Sequence, residues 1–179
     1  MILCFHELGK AVNPYCLPVN DFKKVIESNP EDELHFDDGR KGILALGEDY
    51  LKSIAPRSTI FIVPNFVKKM VPEHEKYSDF LDFEDIEKLI KLGFEIGSHS
   101  LTHCDLTKTI GYEWKEEIIY SKKWLEDRFQ IKVEKFSWPY GRVNHWLQLE
   151  AERVYKYCYT LDSIMGIQRK IVLSEIQNP

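Results

Sequence analysis

The stretch HFDDG, residues 35–39, places Asp37 and Asp38 side by side, directly after a short apolar strand pattern. Neighbouring carboxylates repel each other, because each negative charge disfavours ionisation of the other. The glycine that follows the pair is typical of a tight turn. A bound cation would relieve the repulsion, and it would explain why two acids stand together at the end of a strand.

Short strand patterns alternate with helical patterns on both sides of this stretch. Runs of apolar, β-branched and aromatic residues predict seven strands, at 2–5, 34–36, 58–63, 94–98, 133–138, 157–161 and 171–173. Apolar residues at helical spacing predict helices at 21–28, 42–55, 83–93, 112–129 and 143–156. We expect Asn20 or Asp21 to cap the first helix, and Asp82 and Gly93 to bound the third.

The alternation determines the expected fold class. Strand–helix–strand units form right-handed crossovers and a parallel sheet. Seven strands in a chain of 179 residues predict an α/β fold, a distorted and incomplete (β/α) barrel of about seven mostly parallel strands, in a single domain spanning 1–179. The alternative is an open doubly wound sheet, which would be expected to carry a glycine-rich phosphate loop after an early strand, and the sequence has none.

Composition narrows the classes of partner. The formal net charge is −5 and no basic run occurs, which argues against a nucleic-acid partner. No apolar run approaches the length of a membrane span. The first residues lack the features of a signal peptide, so we expect a cytoplasmic protein, or a secreted one if a signal has been removed. The four cysteines are scattered and indicate reduced thiols, and nothing in the sequence indicates an oligomeric state.

Three of the predicted strands end in residues of types that can take part in catalysis or ligand binding. The strand at 34–36 runs into Asp37 and Asp38, the strand at 94–98 runs into HSLTH (residues 99–103), and the strand at 133–138 runs into Pro-Tyr-Gly (residues 139–141). The carboxyl ends of parallel strands meet at one rim of the sheet, where the catalytic groups of such folds lie. We therefore expect these residues to share one mouth.

The residue types at this rim suit a metal ion. Imidazole nitrogens and carboxylate oxygens are ligands for Zn²⁺ and related ions, and His99 and His103 are close enough in sequence to converge. One carboxylate added to them gives three ligands with open positions, as in a catalytic site, and the second carboxylate is then available as a general base. Either motif alone is more often structural, but their coincidence at strand ends favours a site.

The motifs HFDDG, GFEIGSHSLTHCDL and FSWPYG, in this order and spacing, resemble the first three motifs of the polysaccharide deacetylases, carbohydrate esterase family 4. The resemblance extends over about residues 1–173. It implies a distorted (β/α) barrel with fewer than eight complete units. It also implies removal of N- or O-acetyl groups from sugars or glycans, so that the expected partner is an acetylated carbohydrate.

The resemblance also implies roles for individual residues. Asp37 matches the catalytic base, and Tyr140 matches a residue whose backbone N–H helps to bind the oxyanion. Asp38, His99 and His103 match the ligands of a divalent metal, usually zinc, with cobalt, nickel or manganese as alternatives.

Two departures from the family pattern lie in the matched motifs. His35 stands where a threonine or serine is usual, and strand alternation favours packing of its ring against the barrel over exposure in the mouth. Ser137 and Trp138 stand in the place of an arginine that often holds the base. We expect Trp138 and Pro139 to line the substrate groove, with burial of Trp138 in the core as the alternative.

Further departures lie in the rest of the chain. Asp162 matches the aspartate of a fourth motif or is a turn residue, and Arg169 is a candidate to pair with it and replace the missing arginine. Glu175 stands where the family's Leu-x-His motif supplies a histidine as general acid. His6, His35 and His145 are the histidines considered for this place, and His6, which follows the first strand, is better placed to reach the mouth than His145.

The sequence thus predicts a metal-dependent hydrolase that releases acetate from an acetylated sugar or glycan. Two alternatives remain open. One is a degenerate member of the same fold that binds metal or glycan without turnover. The other is a metal-dependent hydrolase of a different amide on the same barrel.

Overall fold

The computed structural model describes residues 1–9, 16–75, 79–164 and 167–172, with the backbone alone at residues 74, 162–164 and 167–172. The strands in these ranges are β1 (Ile2–Phe5), β2 (Glu7–Leu8), β3 (Cys16–Leu17), β4 (Glu33–Phe36), β5 (Ser58–Ile62), β6 (Glu95–Ser98), β7 (Lys135–Ser137), β8 (Tyr157–Ile164) and β9 (Ile167–Val172). β2 and β3 form a small separate pair.

The helices surround the larger sheet. They are α1 (Val19–Ser28), α2 (Glu48–Ile54), α3 (Pro64–Val67), α4 (Phe83–Leu92), α5 (Glu113–Lys115), α6 (Ser121–Phe129) and α7 (His145–Glu152). Short 3₁₀ turns lie at Lys41–Leu46, Ala55–Arg57, Glu73–Glu75, Leu106–Lys108 and Pro139–Gly141, and a π-helical turn at Glu116–Tyr120 joins α5 to α6. None of the helices in the described ranges has the length and apolar composition needed to cross a membrane.

The larger sheet is a barrel with the order β1-β4-β5-β6-β7-β8-β9. From β1 to β8 its neighbouring strands pair in parallel. β9 runs antiparallel to β8 and also to β1, where Leu3 faces Arg169, and this pairing closes the sheet. Six parallel strands and one antiparallel strand confirm the predicted distorted barrel with fewer than eight β/α units.

The structure changes the bounds of two predicted helices and confirms those of a third. The helix predicted over 42–55 is interrupted at Gly47, whose φ of 79° breaks the helical backbone between the 3₁₀ turn and α2. α1 begins earlier than expected, because Pro18 is its N-cap and accepts hydrogen bonds from the N–H groups of Asp21 and Phe22. For α4, Asp82 and Asp85 form the capping box and Gly93 ends the helix at φ 101°, as predicted.

Alternation along the strands divides the core into two parts. On β4 the outward residues Leu34 and Phe36 pack in the main hydrophobic cluster, where Phe36 contacts Phe22 of α1. His35, between them, points the other way and packs at a ring distance of 4.9 Å against Phe61, inside the barrel. The outer faces therefore hold the helices, and the inner faces are left to line the lumen.

One glycine makes room for the lumen's middle layer. A Cβ at Gly97 would lie 2.5 Å from the Phe61 ring, which is closer than real side chains approach. Phe61 in turn packs against His35 and Tyr159. A larger residue at 97 would displace this aromatic layer, which lies directly below His99.

Charged groups fill the end of the lumen opposite the mouth. Glu33 accepts a hydrogen bond from Lys135 Nζ at 2.6 Å and lies 2.8 Å from His35 Nε2. Lys135 also pairs with Glu95 at 2.9 Å and donates to the Thr59 hydroxyl. Hydrogen bonding by His35 and Lys135 outweighs burial and lowers the pKa of Glu33 to about 2. The barrel is thus closed at this end by a paired network of charges.

This network predicts an acid-sensitive contribution to stability. The folded-state pKa of Glu33 is below its ordinary value of 4.5, so the contribution is complete above that pH and is lost as the pH falls toward 2. Glu33→Gln should lower the free energy of unfolding near neutral pH by about 1 kcal/mol, a figure reduced for the partial exposure of the side chain. The difference from wild type should shrink below about pH 4, as measured by urea unfolding at several pH values.

Glu48→Gln is the matched control, because Glu48 is an exposed glutamate whose partner Lys88 is also on the surface. That variant should follow the wild-type pH dependence closely. An equal loss for Glu33→Gln at pH 3 and pH 7 would contradict the role assigned to the Glu33 carboxylate.

Candidate active site

Asp38 occupies the centre of the mouth, and its two carboxylate oxygens face different partners. Oδ2 accepts a hydrogen bond from Arg40 Nε at 2.9 Å, and Arg40 is fixed in turn by Glu75 at 3.0 Å. Oδ1 lies 3.2 Å from His103 Nε2 and 3.4 Å from His99 Nε2. Arg40 therefore orients the carboxylate so that its second oxygen meets the two imidazoles.

His99 is held with its Nε2 toward Asp38. Its Nδ1 lies 2.7 Å from the Ser137 carbonyl, which can only accept, so Nδ1 carries the proton in the neutral ring. Nε2 then presents a lone pair to Asp38 Oδ1, which is itself an acceptor. A cation or an added proton between the two atoms would satisfy both.

The three side chains fit a divalent cation. Asp38 Oδ1 is buried and has no hydrogen-bond partner among the described residues. Two nitrogen or oxygen ligands of a tetrahedral Zn²⁺ are about 3.3 Å apart, given bonds of about 2.0–2.1 Å, and the Asp38–histidine distances of 3.2 and 3.4 Å agree with this spacing. Burial acts to raise the pKa of Asp38, but the neighbouring His103, His99 and His6 outweigh it and hold the pKa well below its usual value. The predicted ligands Asp38, His99 and His103 are thus brought together as one group.

Backbone strain is concentrated at this site. Among the described residues, six other than glycine have a positive φ, and four of them lie here: Asp38, Ser100, His103 and Tyr140, with φ between 58° and 68°. Such conformations cost about 1–3 kcal/mol each and persist where the surroundings enforce them. The strain indicates that the packing around the site fixes these side chains in place.

The loop that carries His103 is fastened by a buried glutamate. Glu117 accepts hydrogen bonds from the N–H groups of Leu101 and Thr102, both at 2.9 Å, and from the Thr102 hydroxyl at 2.7 Å. Ser100 Oγ accepts from the His103 N–H at 3.0 Å. Glu117 lies in the π-helical turn between α5 and α6, a feature common near functional sites. HSLTH is therefore a loop held from a helix, and it is not a helical turn itself.

Asp37 directly precedes Asp38, and its side chain is almost completely buried. Its Oδ2 is 3.4 Å from Cys4 Sγ and 3.4 Å from Ser137 Oγ, both of which donate to it. The same oxygen is 4.0 Å from His99 Nε2. Cys4 and Ser137 thus support the Asp37 carboxylate.

His6 and His35, two further histidines considered for the site, have different surroundings. His6 lies at the carboxyl end of β1, and its ring forms a second close group with Cys4 and Asp37. It is partly exposed and therefore lies between the buried carboxylate and solvent. His35 is fully buried below the mouth and is bonded to Glu33, so it packs against the barrel, as favoured.

The expected substrate groove requires a correction. Trp138 is completely buried, and its indole N–H donates to Gln148 at 3.0 Å, so it belongs to the core and does not line a groove. Pro139 is also buried. Strand parity is the cause, because Ser137 points inward and its neighbour Trp138 therefore points outward. Tyr140 is about half exposed and its ring lies 4.7 Å from the His103 ring, so it is the aromatic at the mouth.

The structure tests only part of the predictions made for Asp162, Arg169 and Glu175. Asp162 and Arg169 are paired residues of β8 and β9, as the backbone register shows, but their side chains are outside the described part of the chain. Glu175 and the rest of 173–179 also lie outside the described residues. The proposed pairing of Asp162 with Arg169 stays a prediction.

Sequence reasoning missed Arg40, Glu117 and the contacts of Cys4 and Ser137 with Asp37. Arg40 had a weak signal, since it follows the acidic turn directly and could be expected to contact it. Strand alternation makes Cys4 in β1 and Ser137 in β7 point inward, so their inward orientation could have been predicted from the sequence. Glu117 had no local signal, because its partners are a loop that precedes it by more than ten residues.

Comparison with known proteins identifies the family. The polysaccharide deacetylase family model matches residues 28–157, so the chain belongs to that family and the resemblance of its motifs is confirmed. A curated relative, YxkH of Bacillus subtilis (strain 168), carries the same family name. It is 26% identical over 118 residues, which are 66% of this chain and 39% of that protein.

Solved structures share the fold. A polysaccharide deacetylase from Bacillus cereus, BC0361, superposes with a TM-score of 0.73 at 18% identity, over 95% of this chain and 59% of the other. The deacetylase PplD of Streptococcus pyogenes, in complex with acetate, gives 0.68 at 17% identity over 86% and 79%. A de-N-acetylase from Aggregatibacter actinomycetemcomitans gives 0.72 at 14% identity over 92% and 88%.

The role of Glu117 in holding the loop that carries His103 can be tested by measuring how tightly the protein binds a cation. Glu117→Ala removes the acceptor for three donors of the His103 loop, and we expect the dissociation constant for Zn²⁺ to rise about 10–100-fold, as outer-shell changes typically produce. Competition with a chromophoric chelator measures this constant. Glu117→Gln, which keeps one acceptor oxygen, should lie between the alanine variant and wild type.

Glu116→Ala is the matched control, since Glu116 precedes Glu117 on the same turn and is exposed. Its zinc affinity should equal that of wild type. A Glu117→Ala protein that keeps wild-type affinity would show that the loop is held without this carboxylate.

Proposed function

We propose that this protein is a metal-dependent deacetylase that hydrolyses the acetyl group of an N-acetylated sugar or glycan. The observation that carries the proposal is Asp38 Oδ1, a buried oxygen that has no hydrogen-bond partner among the described residues and lies between two imidazole nitrogens. A second, separate carboxylate, Asp37, lies beside it. Membership of the polysaccharide deacetylase family supports the same reaction.

Asp38, His99 and His103 would hold the divalent cation, and their nitrogen and oxygen donors suit zinc. The cation would supply Lewis acidity at the acetyl carbonyl. Asp37 is the general base. Its Oδ2 is held by the Cys4 thiol and the Ser137 hydroxyl, which fix the carboxylate for proton transfer from the attacking water. The Tyr140 N–H, in the strained turn after β7, is proposed to stabilise the oxyanion.

His6 is the proposed general acid. The departing amine must be protonated, and the chain has glutamate where the family pattern has the histidine for that step. His6 forms one close group with Asp37 and reaches solvent, so it is within range of both the base and an entering substrate. His35 is excluded from this role by its burial below the aromatic layer.

The acetylated substrate is inferred from relatives and from the mouth. One structural neighbour is described as a de-N-acetylase and another was solved in complex with acetate. At the mouth of this chain, the exposed Tyr140 ring provides an apolar face beside His103, suited to a sugar ring. We therefore expect a sugar or glycan carrying N-acetyl groups, with O-acetyl groups as the alternative.

The two acids should separate on substitution. Asp37→Asn should retain the cation but lower acetate release by about 100-fold or more, because it removes the general base and leaves the ligands intact. Asp38→Asn should lose the cation as well as activity. Zinc content measured together with acetate release from acetylated chitooligosaccharides distinguishes the two variants. Full turnover by Asp37→Asn would contradict its assignment as base.

The role of His6 predicts a dependence on the leaving group. His6→Ala should slow amide hydrolysis of an N-acetyl sugar strongly, but it should slow hydrolysis of 4-nitrophenyl acetate only slightly, because nitrophenolate departs without a proton. His145→Ala, an exposed histidine at the start of α7, serves as the control. An equal loss on both substrates would assign His6 to another step.

The alternative functions are outcomes of the same assays. Cation binding without acetate release from chitooligosaccharides, small N-acetyl sugars and nucleotide sugars would identify a binding protein without turnover. Hydrolysis of another amide with the same cation and base would identify a different hydrolase on this barrel.

A further inference from the structure

A second group of potential ligands lies next to the Asp38 group. Cys4, His6 and Asp37 each place one donor atom so that the three atoms lie within 4.8 Å of one another. Cys4 and Asp37 are buried, and His6 is partly exposed. Sulfur, imidazole nitrogen and carboxylate oxygen together are a ligand set that favours zinc and softer divalent ions over magnesium or calcium.

The distances in this group suit a cation. A sulfur and an oxygen bound to one tetrahedral Zn²⁺ are about 3.5 Å apart, given bonds of about 2.3 and 2.1 Å. Cys4 Sγ and Asp37 Oδ2 are 3.4 Å apart. The buried pair is therefore already at ligand spacing, and a ring nitrogen of the partly exposed His6 lies in the same group and would complete the set.

The charges also allow two adjacent cations. Asp37 Oδ2 is 4.0 Å from His99 Nε2, so Asp37 lies between the two ligand groups. Two cations sharing a carboxylate are typically about 3.5–4 Å apart in proteins. Asp37, Asp38 and a Cys4 thiolate would supply three negative charges to two divalent ions, and the thiol proton would pass to solvent.

We propose that Cys4, His6 and Asp37 form a second site for a thiophilic divalent cation, adjacent to the site at Asp38. One consequence rests on the proposed deacetylase function. A cation at this second site takes Asp37 and His6 as ligands and so removes them from proton transfer. Excess zinc therefore inhibits the enzyme, whereas one equivalent supports it.

The experiment is a titration of the metal-free protein with Co²⁺ and, separately, with Zn²⁺. We expect two equivalents to bind, with the second giving the near-ultraviolet thiolate-to-cobalt charge-transfer absorption that oxygen and nitrogen ligands do not produce. Cys4→Ser should bind one equivalent and show no such absorption. His6→Ala, a change at a partly exposed residue, should weaken the second equivalent about tenfold or more and keep the first.

Cys104→Ser is the matched control, because Cys104 follows His103 and is the other thiol adjacent to a ligand. This variant should retain both equivalents and the charge-transfer absorption. The proposal is overturned by a wild-type protein that binds a single equivalent without this absorption, or by an absorption that disappears with Cys104 and persists without Cys4.

Binding and activity are measured separately, so that the two proposals fail separately. Two equivalents with the thiolate absorption but no acetate release would support the second site and contradict the deacetylase function. Acetate release that is insensitive to zinc up to saturation of a measured second site would contradict the inhibitory consequence.

Discussion

The lumen of the barrel is narrow, and the side chains that point into it stack in successive layers along its axis. This limit on space decides which side chains contact each other. The Phe61 ring fills the middle layer and leaves no room for a Cβ at Gly97. Below Phe61, Glu33 and Lys135 are paired, and above it lie the polar groups of the mouth. Strand alternation assigns each inward residue to one of these levels, so a shift of register by one residue would exchange the mouth for core.

The buried carboxylates of Asp37 and Asp38 lie close together at the mouth, and most of the side chains around them compensate for their negative charge. Asp38 has Arg40 on one oxygen and two imidazoles near the other. The contacts of Asp37 include two neutral donors, a thiol and a hydroxyl, and its Oδ2 lies 4.0 Å from His99 Nε2. Donors of both kinds favour the charged form of a buried carboxylate.

The sequence predicted the fold class and the group formed by Asp38, His99 and His103, because strand ends and ligand types are local properties. It failed where the answer depends on parity or on distant contacts. Trp138 was assigned to the groove although Ser137, one residue earlier, faces inward. The buried Glu117 lies on a π-helical turn, and no periodicity of the sequence reveals that this turn faces the loop. His35, which stands where a threonine or serine is usual, is buried in the barrel and bonded to Glu33.

The closure of the barrel by β9 has a consequence for how the chain folds. β9 pairs with β8, its neighbour in sequence, and with β1, near the opposite end of the described chain. Contacts between such distant segments raise the contact order, and chains of high contact order fold slowly because a large loop must close first. Until β9 docks, β1 and β8 are open edges that can pair with another molecule. Cys4 lies on β1, so the strand that carries one of the contacts of Asp37 is an edge strand until β9 docks.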